Sequence, residues 1–220
     1  MRSLGFVAIL ACFALLCGNA QAADDPSALL APAGTCGSAA DQLALDVSTA
    51  QTTMLCLTNY ARAQSGLTPL SLNTTLTAAG AAKLGADLSC GVFSHEPCGQ
   101  PFDSVFASYT RGATSFQIGE NIAWGTGSYG TPRSIMAAWL HSSGHRANIL
   151  TAAFNELGIG YLPNQTFLGY SGAALWSQQF GVRTPSTDAV TNSVAPTVTR
   201  TVSKKHKHSP RKRLAHRRVR

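Results

Sequence analysis

One acid and three histidines between residues 95 and 145 are the side chains most suited to chemistry in this chain. Glu120 lies in the apolar, glycine-containing run I-G-E-N-I-A-W-G, and His141 and His145 follow in W-L-H-S-S-G-H-R. His95 lies upstream in G-V-F-S-H-E-P-C-G. Only 12% of the residues are charged, so an acid and several imidazoles in apolar surroundings indicate a polar cleft. The competing interpretation gives each of these side chains a purely structural role.

The chemistry that fits these residues best is the binding of a divalent metal such as zinc. Imidazole nitrogen suits zinc or copper, and His95 and His145 beside Glu120 would leave positions open for water. His141 and His145 are four residues apart, as in the zincin pattern H-E-x-x-H. That pattern requires a glutamate where this chain has Ser142, however. The sequence therefore predicts metal ligands at His95 and His145, with Ser142 and His141 nearby in the same cleft.

Hydrolysis is the main enzymatic alternative. Ser94 precedes His95, and Ser142 and Ser143 precede His145. A serine nucleophile needs a base within hydrogen-bond reach, whereas neighbouring residues in a chain usually point apart, and no G-x-S-x-G elbow is present. The serine signal is therefore weak, and Glu120 or a histidine acting as a general base is the form of hydrolase that stays open.

The N-terminus has the features of an export signal. Arg2 is followed by an apolar run over residues 4–16 and by Ala20-Gln21-Ala22, a small-residue cleavage site. Residues 1–22 are predicted to be a signal peptide, which makes the protein secreted or periplasmic. Lipid attachment at Cys17 is a lesser alternative, because the bulky Leu16 precedes it. No other apolar run is long enough to span a membrane.

Removal of the signal would leave four of the six cysteines. An even number of cysteines in an exported chain predicts disulfides, here with three connectivities open. Cys90 and Cys98 bracket a short loop, which favours that pair and leaves Cys36 with Cys56. A structural zinc site is disfavoured because the chain has no C-x-x-C spacing.

Charge divides the chain into two parts. Residues 23–183 carry a net charge of −3, whereas residues 184–220 hold ten Lys or Arg and one Asp. The second part is first rich in Ser, Thr and Pro and then strongly basic from residue 204, and neither composition buries enough apolar area to fold. It is predicted to be a disordered tail. Residues 204–220 would contact an anionic surface or polymer, since an exported protein does not ordinarily meet nucleic acid.

Hydrophobic periodicity predicts helices first and strands later. After an irregular lead-in over residues 23–48, helices are expected over residues 52–65, from the N-cap Asn73 to residue 88, from Pro132, and as a short turn over 145–150. Strands are expected over residues 120–124, 157–162, 166–170 and 174–180, with turns at 163–164 and 171–172. This order predicts an α+β fold in which helices cover an antiparallel sheet. The three tryptophans Trp124, Trp139 and Trp176 are expected to be core anchors.

Several ordered motifs together resemble the CAP superfamily of cysteine-rich secretory, antigen 5 and pathogenesis-related 1 proteins, also called SCP-like extracellular proteins. The resemblance runs from about Met54 to Val182, and the form S-G-H-R-A-N-I-L is similar to the bacterial branch. Its motifs are L-T-N-Y-A-R-A-Q-S-G-L-T-P-L at 57–70, F-S-H at 93–95, G-E-N-I-A-W-G at 119–125, W-L-H-S-S-G-H-R-A-N-I-L at 139–150, E-L-G-I-G-Y at 156–161 and W-S-Q-Q-F-G at 176–181.

The resemblance implies an α-β-α sandwich over residues 49–183, with a large central cleft surrounded by two histidines and two acids. His95, Glu120 and His145 match three of these four positions, and the fourth, an acid in many eukaryotic members, is Ser142 here. His141 is expected to substitute for it in part. Family members bind divalent cations, sterols or other lipids, and some are described as proteases. The resemblance therefore favours a ligand- or surface-binding module, with a small lipid or peptide in the cleft, over an enzyme. A hydrolase that uses the same cleft and an adhesive protein that acts through its basic tail are the alternatives.

Overall fold

A four-stranded sheet forms the centre of the protein in the computed structural model, which describes residues 25–185. Its strands are β1 (Ser71–Leu72), β2 (Ala113–Thr126), β3 (Glu156–Phe167) and β4 (Tyr170–Pro185). They lie in the order β1-β3-β4-β2, so β2 forms one edge. β4 is antiparallel to both β2 and β3, and the two-residue β1 is parallel to β3. The mainly antiparallel sheet that the sequence predicted is confirmed.

Helices cover both faces of this sheet. They are α1 (Val47–Gln64), α2 (Thr74–Cys90), α3 (Ala107–Thr110), α4 (Pro132–His141) and α5 (Ser143–Ile149). α2 packs on one face, mainly against β3 and β4. The apolar residues of α1, α4 and α5 form one core cluster with the other face. The three layers make an α-β-α sandwich, as predicted.

The side chains of β4 show how the strand separates the two cores. Trp176 and Phe180 pack into the cluster under α1 and α4, whereas Leu175 packs with Leu84 of α2 on the opposite face. This alternation follows from the period of two in a β-strand. α2 approaches the sheet closely at Gly80, because a Cβ atom added there would lie 2.9 Å from the backbone nitrogen of Gly160.

Capping residues set where the long helices begin. The predicted N-cap Asn73 accepts hydrogen bonds at its Oδ1 from two backbone N–H groups of the first turn of α2, at 2.9 and 3.0 Å. Thr131 caps α4 immediately before Pro132. α1 begins at Val47 rather than at residue 52, because the Asp46 carboxylate accepts a hydrogen bond from the N–H of Thr49 at 2.9 Å.

The turn between β3 and β4 lies elsewhere than predicted. Residues 163–164 and 171–172 were predicted to be turns, but they lie inside β3 and β4. Asn164 occupies an irregularity of β3 with φ 55°, a conformation that asparagine tolerates. Leu168 and Gly169 make the turn with φ 49° and 85°. Positive φ at both positions suits the twist of a hairpin, but leucine is not a typical turn residue.

Two disulfides join Cys36 to Cys56 and Cys90 to Cys98. This is the favoured pairing, and its first member ties the N-terminal lead-in to α1. The lead-in contains two short 3-10 helices, Pro26–Leu29 and Ser38–Asp41. Leu29 is buried in the core under α1 and α4, so the lead-in contributes to the folded domain.

Some predictions concern residues outside the described range. These are the signal peptide of residues 1–22, the cysteines that it contains, and the basic segment of residues 204–220. Thr184 and Pro185, which were assigned to the tail by composition, are the last residues of β4. Within residues 25–185, no helix combines the length and the apolar character needed to cross a bilayer.

Candidate functional site

His95 and Glu120 form the centre of the candidate site. Glu120 lies in β2 and is 4% exposed. His95 lies in the neighbouring loop that follows α2, and its side chain is 50% exposed. The Nδ1 atom of His95 lies 2.6 Å from the Oε1 atom of Glu120. A carboxylate that accepts a hydrogen bond from Nδ1 fixes the ring and leaves Nε2 as the nitrogen available to a ligand or metal.

The second oxygen of Glu120 is held by the neighbouring strand. Gln179 of β4 is paired with Glu120 across the sheet and donates from Nε2 to Oε2 at 2.8 Å. Gln179 is fully buried, so the carboxylate cannot rotate without breaking this bond. Sequence reasoning missed Gln179, although the two consecutive glutamines of W-S-Q-Q-F, inside an otherwise apolar strand, were a signal that could have identified it.

His145 lies on α5, which two asparagines fasten to β2. Asn121 donates from Nδ2 to the backbone carbonyl of His145 at 3.1 Å. Asn148 donates from Nδ2 to the carbonyl of Glu120 at 3.0 Å and to Oδ1 of Asn121 at 2.9 Å. The bond to the carbonyl of Glu120 occupies a backbone acceptor of the edge strand β2. Together these bonds hold the backbone of α5, including His145, against β2 at Glu120 and Asn121.

Burial lowers the pKa of His145 below its ordinary value of 6.5, and the charge of His95 lowers that pKa further. A histidine with a lowered pKa keeps its lone pair at neutral pH. His145 is therefore available as an acceptor or a metal ligand in mildly acidic solution.

A cavity of about 250 Å³ opens next to His145, whereas His95 and Glu120 are not among the residues that line it. Most of its lining is apolar, and Ser142 and His145 are its polar members. Trp139 is fixed in the wall because its Nε1 donates to the carbonyl of Ile122 at 3.1 Å. The lining residues are Phe93, Ile122, Ala123, Trp124, Ala138, Trp139, Ser142 and His145.

Trp124 differs from the other two tryptophans. Trp139 and Trp176 are buried core anchors, as predicted. Trp124 is partly exposed and lines the cavity, with its ring held edge-on by Phe167 at 5.6 Å. Trp124 also packs against the core cluster that contains Leu84 and Leu175, so it combines the expected packing role with a place in the cavity wall.

His141 lies outside the cavity. α4 ends at His141 and α5 begins at Ser143. The predicted break is therefore confirmed at Ser142, whereas Ser143 and Gly144 already belong to α5. His141 and His145 consequently do not share one continuous helix, which removes the geometry of a zincin. His141 is exposed and is absent from the cavity lining. Its expected role as a partial substitute for the acid missing at Ser142 has no support in this geometry.

The donors near the cleft fit a metal only in part. His95 has the carboxylate partner that orients many metal-binding histidines, and His145 has a lowered pKa. Across residues 25–185, however, no group of three or more His, Cys, Asp or Glu side chains is arranged to hold a metal ion. Catalytic zinc sites ordinarily have three protein ligands. The described residues of the cleft thus offer at most two imidazoles, His95 and His145, as candidate ligands, which is fewer than such sites ordinarily have.

Comparison with known proteins places this site in a recognised family. The model of the cysteine-rich secretory protein family (CAP) matches residues 55–180, a range that contains His95, Glu120 and His145. Over 126 residues the chain is 35% identical to the uncharacterized protein YkwD of Bacillus subtilis strain 168, a match that covers 56% of this chain and 44% of that protein. The chain thus spans less than half the length of this relative.

Solved structures agree at the level of the fold. The chain is similar to an outer surface protein from Borrelia burgdorferi, with 17% identity and a TM-score of 0.52 over 63% of this chain and 96% of the other. It is also similar to an extracellular protein containing a SCP domain from Bacillus anthracis str. Ames, with 21% identity and a TM-score of 0.48 over 63% of this chain and 44% of the other. At such low identity, the first similarity supports the fold alone.

Proposed function

The chain belongs to the cysteine-rich secretory protein (CAP) family, and we propose that it is an exported binding module whose cleft combines a small apolar cavity with two imidazoles. Export follows from the N-terminal signal of the sequence. The observation that supports the binding site most strongly is the fixed ring of His95, held 2.6 Å from Glu120 at Nδ1. His145 lines the neighbouring cavity, whose other walls are mostly apolar. A bound molecule could therefore contact an imidazole and apolar side chains together.

The size of the cavity limits what it can hold. Drug-sized sites occupy roughly 300 to 1,000 Å³, whereas this cavity has about 250 Å³. It suits one apolar side chain of a peptide or the end of a lipid chain rather than a whole ligand. Phe93, at the mouth, is 43% exposed and extends the apolar surface outward. The rest of the bound molecule would therefore lie across the rim, beside His95.

Within this function, His95 and His145 would hold a divalent metal such as zinc. Glu120 would orient the His95 ring rather than bind the metal, because its carboxylate already accepts hydrogen bonds from His95 Nδ1 and from Gln179. A bound metal would supply a positive centre that attracts a carboxylate or another anionic group of the ligand. With two protein ligands, the site would bind metal more weakly than a three-ligand zinc enzyme does.

A hydrolase that uses the same cleft is the enzymatic alternative. Both oxygens of Glu120 accept hydrogen bonds inside the protein, but each carboxylate oxygen keeps a second lone pair, so Glu120 retains the capacity of a general base. Ser94 is the weaker candidate, because its Oγ bonds only the N–H of Glu96 among the described residues and no histidine or acid activates it. If the cleft is hydrolytic, Glu120→Gln should abolish turnover of peptide or lipid-ester substrates, whereas a binding module should show no turnover.

Calorimetry with zinc tests the proposal. The full chain should first have its three tail histidines replaced by asparagine, so that the heat reports on the cleft alone. We expect that replacing both His95 and His145 by alanine abolishes the heat of binding, whereas His141→Ala, an exposed histidine outside the cavity, leaves it unchanged. Equal heats from the parent and the double variant would remove the metal site from the proposal. The tail histidines are His206, His208 and His216.

The basic tail supports a second candidate function, adhesion to anionic surfaces. Residues 184–220 hold ten Lys or Arg against one Asp, and such a segment gains affinity for polyanions through counterion release. Because β4 ends at Pro185, the deletion that tests this function should begin at residue 186. We expect it to abolish salt-sensitive adsorption to vesicles that contain anionic lipid. Undiminished adsorption would refute an adhesive role for the tail.

A further inference from the structure

The loop that carries His95 is attached to α2 by a buried lysine. Lys83 is 1% exposed, and its Nζ donates a hydrogen bond to the backbone carbonyl of Ser94, the residue before His95. Nζ also donates to Oδ1 of Asp87 at 2.8 Å, one turn further along α2. Both side chains are fully buried, a rare position for either residue type unless it is paired.

From this arrangement, we propose that Lys83 and Asp87 are positioning residues that hold His95 against Glu120. Their role in metal or ligand binding rests on the proposed function, but their effect on the His95 ring does not. Neither residue lines the cavity, and the two histidines, Glu120 and Gln179 account for the cleft without them. They act on the site through the backbone of Ser94.

The loop itself has little internal structure that could place His95. Residues 92–96 contain no helix or strand, and Ser94 bonds locally through its Oγ to the N–H of Glu96. At its ends, the loop is fixed by the disulfide between Cys90 and Cys98. Between these ends, the bond from Lys83 to Ser94 holds the backbone immediately before His95, so it sets the distance of the ring from β2.

Electrostatics explain why both members of the pair are needed. Burial raises the pKa of Asp87 above its ordinary value, and the hydrogen bond and the charge of Lys83 oppose that rise. The negative charge of Glu120 acts in the same direction as burial. The Lys83 ammonium group thus lies between the carboxylate of Asp87 and the carbonyl of Ser94, and Asp87 compensates the buried positive charge that the bond to Ser94 requires.

Stability alone does not account for a buried ion pair. Replacing such a pair by apolar residues of similar volume is often neutral or stabilising, because both ions lose their hydration on burial. A pair of methionines at positions 83 and 87 would fill the same space. Only the charged pair, however, supplies a donor for the carbonyl of Ser94. The specific contribution of Lys83 and Asp87 is thus the position of the loop.

The test compares two variants of the full chain without its tail histidines. Lys83→Met with Asp87→Met removes the donor, whereas Ile159→Val keeps the pair and changes only the core under α1 and α4. The readout is long-range ¹H–¹⁵N NMR of the imidazole of His95, in metal-free protein at mildly alkaline pH, with the signal assigned by its loss in His95→Ala. We expect one tautomer, protonated at Nδ1, in the parent and in Ile159→Val, and a mixture of tautomers in the double methionine variant.

Zinc affinity is a second readout. We expect it to fall by about tenfold or more in the double methionine variant, the range for loss of an outer-shell partner, and to stay within about threefold in Ile159→Val, which controls for stability. A double methionine variant that keeps the single tautomer would overturn the proposal. If the parent shows one tautomer but binds no zinc, the metal site fails and the positioning role stands.

One measurement on the parent protein does not depend on whether the variants fold. Ammonium protons of Lys83 that donate to the Ser94 carbonyl should exchange slowly with water and show scalar coupling across the hydrogen bond to the carbonyl carbon. Fast exchange together with the absence of that coupling would overturn the proposal without any substitution.

Discussion

Replacement of Glu120 by glutamine separates an orienting carboxylate from a metal ligand. Glu120 accepts from His95 at Oε1 and from Gln179 at Oε2. The amide of a glutamine can still accept from His95 Nδ1, while its NH₂ group faces Gln179. The Oε1 atom of Gln179 has no hydrogen-bond partner among the described residues, so Gln179 can turn its amide and accept from the new NH₂ group.

The size of the effect follows from the charge that is lost. A hydrogen bond to a charged group contributes about 1.5 to 3 kcal/mol, and one between neutral groups contributes about 0.5 to 1.5 kcal/mol. The hydrogen bond that orients His95 should weaken by about 1 to 1.5 kcal/mol, which corresponds to a roughly tenfold lower zinc affinity. Folding stability should fall by no more than a similar amount, because the same hydrogen bonds lose their charge while one atom of the Gln179 amide stays without a partner, as it does in the parent.

Calorimetry with zinc and thermal unfolding measure these two effects in the same samples. Glu120→Ala is the matched contrast, since it leaves the buried Nε2 of Gln179 without an acceptor and opens a cavity, and it should therefore lower the melting temperature as well. Unchanged zinc affinity in Glu120→Gln would refute the orienting role. Complete loss of binding would show instead that the carboxylate itself is a metal ligand.

The surroundings of the site lead to three further predictions. Arg62 is 0% exposed and donates to four backbone carbonyls, so Arg62→Met should lower the free energy of unfolding by roughly 3 kcal/mol or more in urea titrations, and a smaller loss than in Arg62→Lys would contradict this. Replacing Cys90 and Cys98 by alanine should cost about 2 to 3 kcal/mol from the closed loop, and an unchanged unfolding midpoint would argue against it. Because the pKa of His145 is lowered on folding, the unfolded state binds its proton first as pH falls below about 6.5, so stability should decrease there and level off below the folded pKa. His145→Asn should flatten this decrease in urea titrations with a chelator present, and an equally steep decrease would contradict the assignment.

Most helices and strands could be predicted from the sequence because the signals that set where they begin and end are local. Asn73 and Thr131 cap helices through their own side chains, and the Ser-Ser-Gly break before His145 depends on neighbouring residues. The turn between β3 and β4 was missed for the opposite reason. Leu168 adopts a positive φ because strand pairing on both sides imposes it, and leucine shows no such preference in a sequence.

The partners of the site residues depend on packing rather than on spacing. Motifs indicated His95, Glu120 and His145, but Gln179 reaches Glu120 only because β4 lies between β2 and β3. Lys83 looks like an ordinary polar residue of an amphipathic helix until α2 is placed on the sheet. His141 shows the converse, because a histidine next to Ser142 in the sequence is exposed at the end of α4 and does not line the cavity.

A crystal structure of the zinc-loaded protein, with anomalous data at the zinc edge, tests the shared cleft most directly. Protein without its tail histidines should show one strong peak within coordination distance of the His95 and His145 rings, with Glu120 still bonded to Nδ1 of His95. A peak at another place, no peak at saturating zinc, or direct coordination by Glu120 would contradict the assignment of these three side chains.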